Sequence, residues 1–185
     1  YLLPYPASAL QPHLSTQAVS THLAHHLRMQ QQLCERIAGS DLETMELEVV
    51  VAASRGSTFE LAAQCWNLAF FWHALDGRGG SEPGARLGRR LAHDLGTLAQ
   101  LQGEFHRQAN LLAGDGWIWL VEHADGSLAV TGCSLGATPI TGSSRPLLVC
   151  DLQLHALANA DGGMAAWLEV FWRLVNWDVV ERNLR

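Results

Sequence analysis

The feature that most constrains the fold is a change of pattern at residues 114–116, Gly-Asp-Gly. Upstream of this turn, apolar residues recur at helical spacing, whereas downstream of it short runs of aromatic and branched residues predict strands. Helices followed by a small antiparallel sheet are typical of an α+β protein. With 185 residues, 48% of them hydrophobic, the chain is long enough to bury a substantial core.

The part of the chain before this turn is predicted to begin with a helical hairpin. Residues 16–38 contain neither Gly nor Pro and are followed by Gly39, which predicts one long helix. A second helix is predicted at about residues 58–75, where a glycine-rich turn ends it. Helical spacing predicts one partly apolar face on the first helix, made of Leu23, His26, Leu27, Gln30 and Cys34.

The rest of the chain is predicted to form two helices, three strands and a last helical segment. The two helices lie within residues 87–112 and are broken near Gly96, and the last segment is residues 164–185. The strands are residues 117–122, 128–133 and 146–152, and an Asp-Gly turn joins the first two. We therefore predict an N-terminal helical hairpin, residues 1–82, and a C-terminal α/β part, residues 83–185, with a small three-stranded antiparallel sheet.

Charge and composition argue against several classes of protein. A net charge of -6 argues against broad binding to nucleic acid phosphates and leaves only local RNA contact around Arg86, Arg89 and Arg90. Four scattered cysteines without a Cys-x-x-Cys pair support neither a zinc ribbon nor a redox motif. No apolar run is long enough to predict a membrane span, and no targeting segment is visible.

Five segments carry a resemblance to a known family, in the same order and with similar spacing. They are residues 9–15, 64–72, 114–121, 146–151 and 171–177. Together they resemble the iron/manganese superoxide dismutase family over nearly the whole chain. The resemblance implies a helical hairpin and an α/β part that hold one metal ion between them. It also implies disproportionation of superoxide by iron or manganese bound to three histidines, one aspartate and a solvent molecule.

Carried over position by position, the resemblance identifies three remnants of the family metal site, His22, Asp151 and His155. The fourth ligand position, inside the Gln-Cys-Trp-Asn-Leu stretch at residues 64–68, holds Leu68. Leucine has no lone pair to give a metal. The resemblance therefore implies a metal site that has lost one protein ligand.

Other positions with family roles are retained or replaced. Gln64 matches a glutamine that reaches the metal-bound solvent in the iron-type members, and it is a remnant of that role. Aligned without gaps from His22, Gln30 occupies the gateway position, where the family places a tyrosine; a one-residue gap would place Met29 there instead. Leu154 replaces a glutamate that reaches across the family dimer, and Ala158 replaces a nearby interface tyrosine. These replacements place the usual symmetric dimer contact in doubt.

Two arrangements would still allow a metal to bind. His22, Asp151 and His155 would form a set of two histidines and one carboxylate, which elsewhere holds ferrous iron with open positions. Alternatively, His26 lies one helical turn after His22 and would bend toward the site. His73 lies about 140° around the helix from Leu68 and is poorly placed to replace the missing ligand.

The replacements favour a superoxide dismutase-like pseudoenzyme that binds no cofactor, or iron or manganese if it binds any metal. Its expected role is that of a structural subunit of a larger mitochondrial assembly such as the mitochondrial ribosome. Its expected partners are other protein subunits, including a related superoxide dismutase-like chain as dimer partner. One alternative is an active iron or manganese superoxide dismutase with an altered metal shell. A second alternative is an accessory subunit of a respiratory complex.

Overall fold

The structure, a computed structural model, describes residues 1–79, 82–156 and 163–185, without the side chains of residues 155 and 156. The predicted α+β class is confirmed, with helices before a three-stranded antiparallel sheet and helices after it. The α-helices are α1 (Thr16–Ile37), α2 (Leu47–Ala53), α3 (Gly56–His73), α4 (Ala85–Asp94), α5 (Leu98–Leu111), α6 (Gly163–Leu174) and α7 (Trp177–Asn183). The strands are β1 (Trp117–Glu122), β2 (Leu128–Cys133) and β3 (Arg145–Asp151).

Helix α1 begins and ends close to the predicted residues. The Ser15 hydroxyl accepts a hydrogen bond from the Ala18 amide and so caps the first turn. The buried face of α1 is rotated about the helix axis relative to the predicted apolar face. Leu27 is 41% exposed, and Cys34 is also exposed. The helix instead buries a seam at three- and four-residue spacing, made of Ala18, His22, His26, Met29, Leu33 and Ile37.

Helix α3 packs against α1 as the second arm of the predicted hairpin. Its buried residues include Cys65, Leu68, Phe71 and Trp72, so one face of the motif at residues 64–72 lies in the core. The short helix α2, which the sequence analysis did not predict, buries Val50 and Val51 against α3. The hairpin therefore encloses a core before the chain reaches the sheet.

Strand β1 lies in the middle of the sheet, antiparallel to β2 on one side and to β3 on the other. All its residues are buried, as expected for a central strand covered on both faces. The predicted Asp-Gly turn joins β1 to β2, and Gly126 adopts a positive φ of 90° there. Strand β3 ends at Asp151, directly opposite Trp117.

The C-terminal segment, predicted as one helical stretch, is divided into α6 and α7. The side chain of Asn176 accepts a hydrogen bond from the Val179 amide and starts α7 with a new cap. Just before this cap, Val175 forms an isolated bridge with Leu75, which ties the end of the hairpin to the C-terminal part. None of the described helices combines the length and the apolar character needed to cross a membrane.

Candidate metal centre

A buried histidine and a buried aspartate meet where the hairpin packs on the sheet. His22 Nε2 lies 2.8 Å from Asp151 Oδ2, and the two side chains are 3% and 0% exposed. His22 comes from the buried seam of α1, and Asp151 is the last residue of β3. The packing of α1 and β3 thus joins two of the three predicted metal ligands.

The orientation of Asp151 is fixed by one hydrogen bond to its carboxylate and one to its backbone carbonyl. Its other carboxylate oxygen, Oδ1, accepts a bond of 2.8 Å from the Gln153 amide. Its backbone carbonyl accepts a bond of 2.8 Å from the Trp167 indole N–H. With Oδ1 and the backbone carbonyl engaged in this way, Oδ2 is directed toward His22.

Aromatic side chains of α3 form the wall beside His22. The ring of Trp72 lies 5.4 Å from the imidazole in an edge-on orientation, and the ring of Phe71 lies 6.4 Å away. On α1 itself, the half-buried ring of His25 stacks 6.2 Å from that of His22. This wall excludes water on the α3 side, which strengthens any electrostatic interaction between His22 and Asp151.

Leu68 lies on the same buried face of α3, one turn before Trp72. It is 2% exposed and belongs to the hydrophobic core. The position that the family resemblance assigns to a metal ligand therefore contributes packing and no lone pair. A bound metal would have to complete its coordination from other protein groups or from solvent.

The third predicted ligand, His155, lies in a short 3-10 helix that runs from Gln153 to Ala156. Its side chain lies outside the described residues, as does all of Ala158. Leu154, in the same turn, is 0% exposed and packs within the core of its own chain. A leucine at this position thus stabilises the fold of the single chain.

Gln64 points away from the His22–Asp151 pair. Its amide donates a hydrogen bond to the Glu60 carbonyl one turn earlier in α3, and the side chain lines a surface cavity of about 520 Å³. Among the described residues, no hydrogen bond joins it to His22 or Asp151. The predicted role of Gln64 at a metal-bound solvent remains a prediction.

Asn67 is a buried polar residue beside Leu68 that the sequence analysis did not assign a role. Its amide donates a bond of 2.8 Å to the Ala137 carbonyl, while its Oδ1 is buried without a hydrogen-bond partner. An unpaired buried acceptor is costly, so this atom is a suitable place for an ordered solvent molecule. The sequence feature that could have indicated a role for Asn67 is its position directly before Leu68 in the motif.

Two other histidines were considered as replacement ligands. His26 is 0% exposed, and its ring stacks on Tyr1 at 4.6 Å rather than hydrogen-bonding Asp151. Its nitrogens lie near the Cys65 backbone, but neither makes a hydrogen bond of ordinary geometry. His73 is exposed at the end of α3, in agreement with its poor placement. Neither histidine contributes a donor to the pair.

The donors that are present suit a transition-metal ion. Nε2 of an imidazole and an oxygen of a carboxylate are both metal ligands, and a cation bound by both would take the place of their hydrogen bond. Within the described side chains, which exclude that of His155, no three His, Cys, Asp or Glu residues converge to hold a metal. The chain thus offers a buried two-donor core to which His155 would add a third ligand.

Two family models match this chain over most of its length. The model described as "Iron/manganese superoxide dismutases, alpha-hairpin domain" matches residues 1–76, and the model described as "Iron/manganese superoxide dismutases, C-terminal domain" matches residues 83–183. The chain belongs to the iron/manganese superoxide dismutase family. Iron or manganese is the metal that this family name implies.

Relatives of similar length match this chain from end to end. A protein of Legionella pneumophila named "Superoxide dismutase [Fe]" is 36% identical over 185 residues, covering 99% of this chain and 96% of its own length. Proteins of the same name from Escherichia coli and Bordetella pertussis are 37% and 36% identical, each covering 98% of this chain and 95% of its own length.

These comparisons correct the functional prediction made from the sequence. The prediction of an inactive structural subunit, such as a mitochondrial ribosomal protein, is contradicted by relatives that span the chain and are named as iron superoxide dismutases. The expectations of a pseudoenzyme, of metal-site loss and of no cofactor fall with it. Those expectations rested on Leu68 and the other replaced positions, whereas the similarity extends over the whole chain. The alternative of an active superoxide dismutase is the better supported one.

Proposed function

We propose that this chain is an iron superoxide dismutase with an altered metal shell, in which His22, Asp151 and His155 hold the metal. The observation that carries the proposal is the 2.8 Å contact between His22 and Asp151, buried and formed by residues from opposite ends of the chain. The full-length relatives support iron, since their names specify it. Two histidines with one carboxylate are also a set that suits ferrous iron.

The reaction converts two superoxide ions and two protons into one O₂ and one H₂O₂. One superoxide loses an electron, and the other gains that electron together with both protons. Bound iron would supply the one-electron exchange between the two half-reactions. The protein must supply binding, a fixed orientation and a site from which bulk water is excluded.

Asp151 would supply the negative charge of the site. Its carboxylate is fully buried and is oriented by the Gln153 amide, while the Trp167 indole holds its backbone carbonyl, so the residue need not reorganise when a cation binds. A metal ion bound by His22 Nε2 and Asp151 Oδ2 would take the place of the hydrogen bond that joins them.

Leu68 would set how tightly the metal is held. A shell with three protein ligands binds a cation less tightly than one with a fourth donor, and it leaves an extra position for solvent or a small anion. The core location of Leu68 keeps the α3 side of the site dry. We therefore expect an enzyme that loses its iron more readily than a variant with histidine at residue 68.

The proposal is tested by titrating ferrous iron anaerobically into the metal-free protein, removing unbound iron, and measuring superoxide consumption at each loading. The expected result is a rate that rises in proportion to retained iron, up to about one ion per chain. His22→Gln, which keeps a polar side chain in the pocket, should retain less iron and consume superoxide more slowly. One retained iron per chain with no rate above that of the metal-free protein would refute the proposal.

A further inference from the structure

Three polar residues form a row along the inner face of α1. His22, His26 and Gln30 are spaced four residues apart, which places them on successive turns of one helix face. His22 belongs to the candidate metal centre, and Gln30 lies at the outer end of the row, half-buried. The row thus connects the metal centre to the edge of the hairpin.

His26, in the middle of this row, is buried, with the Cys65 backbone near its ring nitrogens. It is 0% exposed, and both of its ring nitrogens lack a hydrogen bond of ordinary geometry. Buried polar side chains are nearly always paired, so an unpaired imidazole needs an explanation. Because His26 lies between Gln30 and His22 on this face, a group that covers His26 also lies between His22 and the outer end of the row.

Tyr1 is the residue that covers His26. Its ring stacks on the imidazole at 4.6 Å, and it meets the ring of His73 edge-on at 6.3 Å. Its backbone nitrogen donates a bond of 2.9 Å to Oε1 of Gln30, and its phenol donates a bond of 3.4 Å to the carbonyl of Ala69. Tyr1 therefore spans the gap between α1 and α3, which it meets at Ala69, the residue that follows Leu68.

We propose that Tyr1 is the cover of this row and controls the access of water and small anions along α1 to the His22–Asp151 pair, with Gln30 as the residue that holds Tyr1 in place. The access role rests on the proposed superoxide dismutase function. In this proposal Gln30 has a role of its own, because its side chain holds the backbone nitrogen of Tyr1. Tyr1 does not touch the metal centre itself; it acts by covering His26.

The cover is tested on the metal-free protein by the reaction of its histidines with diethyl pyrocarbonate, followed at each residue by mass spectrometry. In the parent protein His26 should react slowly, whereas His93, whose side chain is 85% exposed, should react fast. Tyr1→Ala should raise the rate at His26 at least tenfold and raise the rate at His22 by a smaller factor, because His22 lies one helical turn farther along the row. Tyr1→Phe retains the ring and should keep His26 protected.

Leu2→Ala is the matched control, because Leu2 lies next to Tyr1 in the chain but is 89% exposed. It should not change the rate at His26. The cover is refuted if His26 reacts as fast as His93 in the parent protein, or if Tyr1→Ala leaves its rate unchanged. Equal increases in the reaction rates of His22 and His26 in Tyr1→Ala would also refute it. Tyr1 would then stabilise the fold as a whole rather than cover His26.

The access role is tested on iron-loaded protein by the rate at which azide binds, followed by the absorbance of the iron. Tyr1→Ala should speed azide binding several-fold, whereas Leu2→Ala should not change it. An unchanged azide rate in Tyr1→Ala refutes the access role. Failure of every variant to retain iron counts instead against the proposed function, while the histidine reactivities still decide whether Tyr1 covers His26.

Discussion

The indole N–H of Trp167 in α6 donates a 2.8 Å hydrogen bond to the backbone carbonyl of Asp151 at the end of β3. This bond joins the last layer of helices to the residue that faces His22. It fixes the main chain of Asp151 independently of the carboxylate, whose Oδ1 is bound to the Gln153 amide. The geometry of the metal centre thus depends on a residue that does not itself touch His22.

Trp167→Phe should therefore weaken both the fold and iron binding. Leaving a buried carbonyl without its donor costs about 1–3 kcal/mol of unfolding free energy, which urea denaturation will measure. Iron affinity should fall as well, because Asp151 is less firmly oriented. Trp66→Phe is the control, because the Trp66 indole N–H donates its hydrogen bond to the carboxylate of the exposed Glu48. Equal loss of iron affinity in both variants would contradict this account.

Leu68→His should act in opposite directions on the metal-free and the iron-loaded protein. Without metal, an imidazole in this core position is an unsatisfied buried polar group and should lower the unfolding free energy by about 1–3 kcal/mol. With iron, it adds a donor and should raise affinity. Isothermal titration and urea denaturation of the same samples measure the two effects.

Leu68→Ala separates the donor effect from simple loss of packing. It should destabilise the metal-free protein by about 2–5 kcal/mol through the cavity that it creates, with no gain in iron affinity. If Leu68→His binds iron no better than Leu68→Ala, the pocket does not present residue 68 to the metal.

The elements with long local patterns could be predicted from the sequence, whereas packing details could not. The ends of α1 follow from Ser15 and Gly39, and the Asp-Gly turn fixed the hairpin of β1 and β2. Helix α2 was missed because seven residues give too short a pattern. The face of α1 was misjudged because Leu27 is apolar yet exposed, while two histidines are buried.

The candidate site shows the same division. His22 and Asp151 are 129 residues apart, so no local sequence pattern could pair them. Only the family resemblance predicted that they share one site. The orientation of Gln64 and the stacking of Tyr1 on His26 depend on rotamers that no sequence pattern specifies. The functional prediction failed because Leu68 was read as loss of the whole site.

The buried imidazole of His26 should make the fold sensitive to acid. Burial lowers the pKa of His26 to about 4, below its value of about 6.5 in an unfolded chain. Between these values the unfolded chain binds a proton that the folded protein does not, so stability is full above about pH 6.5 and falls as the pH drops toward 4. The loss should be on the order of 2 kcal/mol.

His26→Leu is the variant that isolates this effect. Urea denaturation at about pH 7 and about pH 5 should show a smaller difference in unfolding free energy for His26→Leu than for the parent protein. Equal pH dependence in the two proteins would show that His26 binds its proton equally in the folded and unfolded states.

The buried carboxylate of Glu122 provides a test of the fold far from the metal centre. Glu122 is 1% exposed and is bonded by Arg90 at 3.2 Å and by the Arg185 amide at 3.0 Å. Arg90→Met should cost about 3 kcal/mol because it leaves a buried charge without its partner. Arg107→Met, which breaks an exposed ion pair with Glu104, should cost much less, because solvent screens that pair. Similar costs in both would contradict the assigned burial.

The central claim is that the His22–Asp151 pair is the metal centre of a superoxide dismutase. The most direct measurement is the superoxide turnover per retained iron, by stopped-flow spectroscopy, of the parent protein and of Asp151→Asn, which keeps the shape of the side chain but removes its charge. We predict fast turnover by the parent protein and a loss of at least tenfold, or failure to retain iron, in Asp151→Asn. Iron-dependent turnover that is equal in the two proteins would contradict the claim.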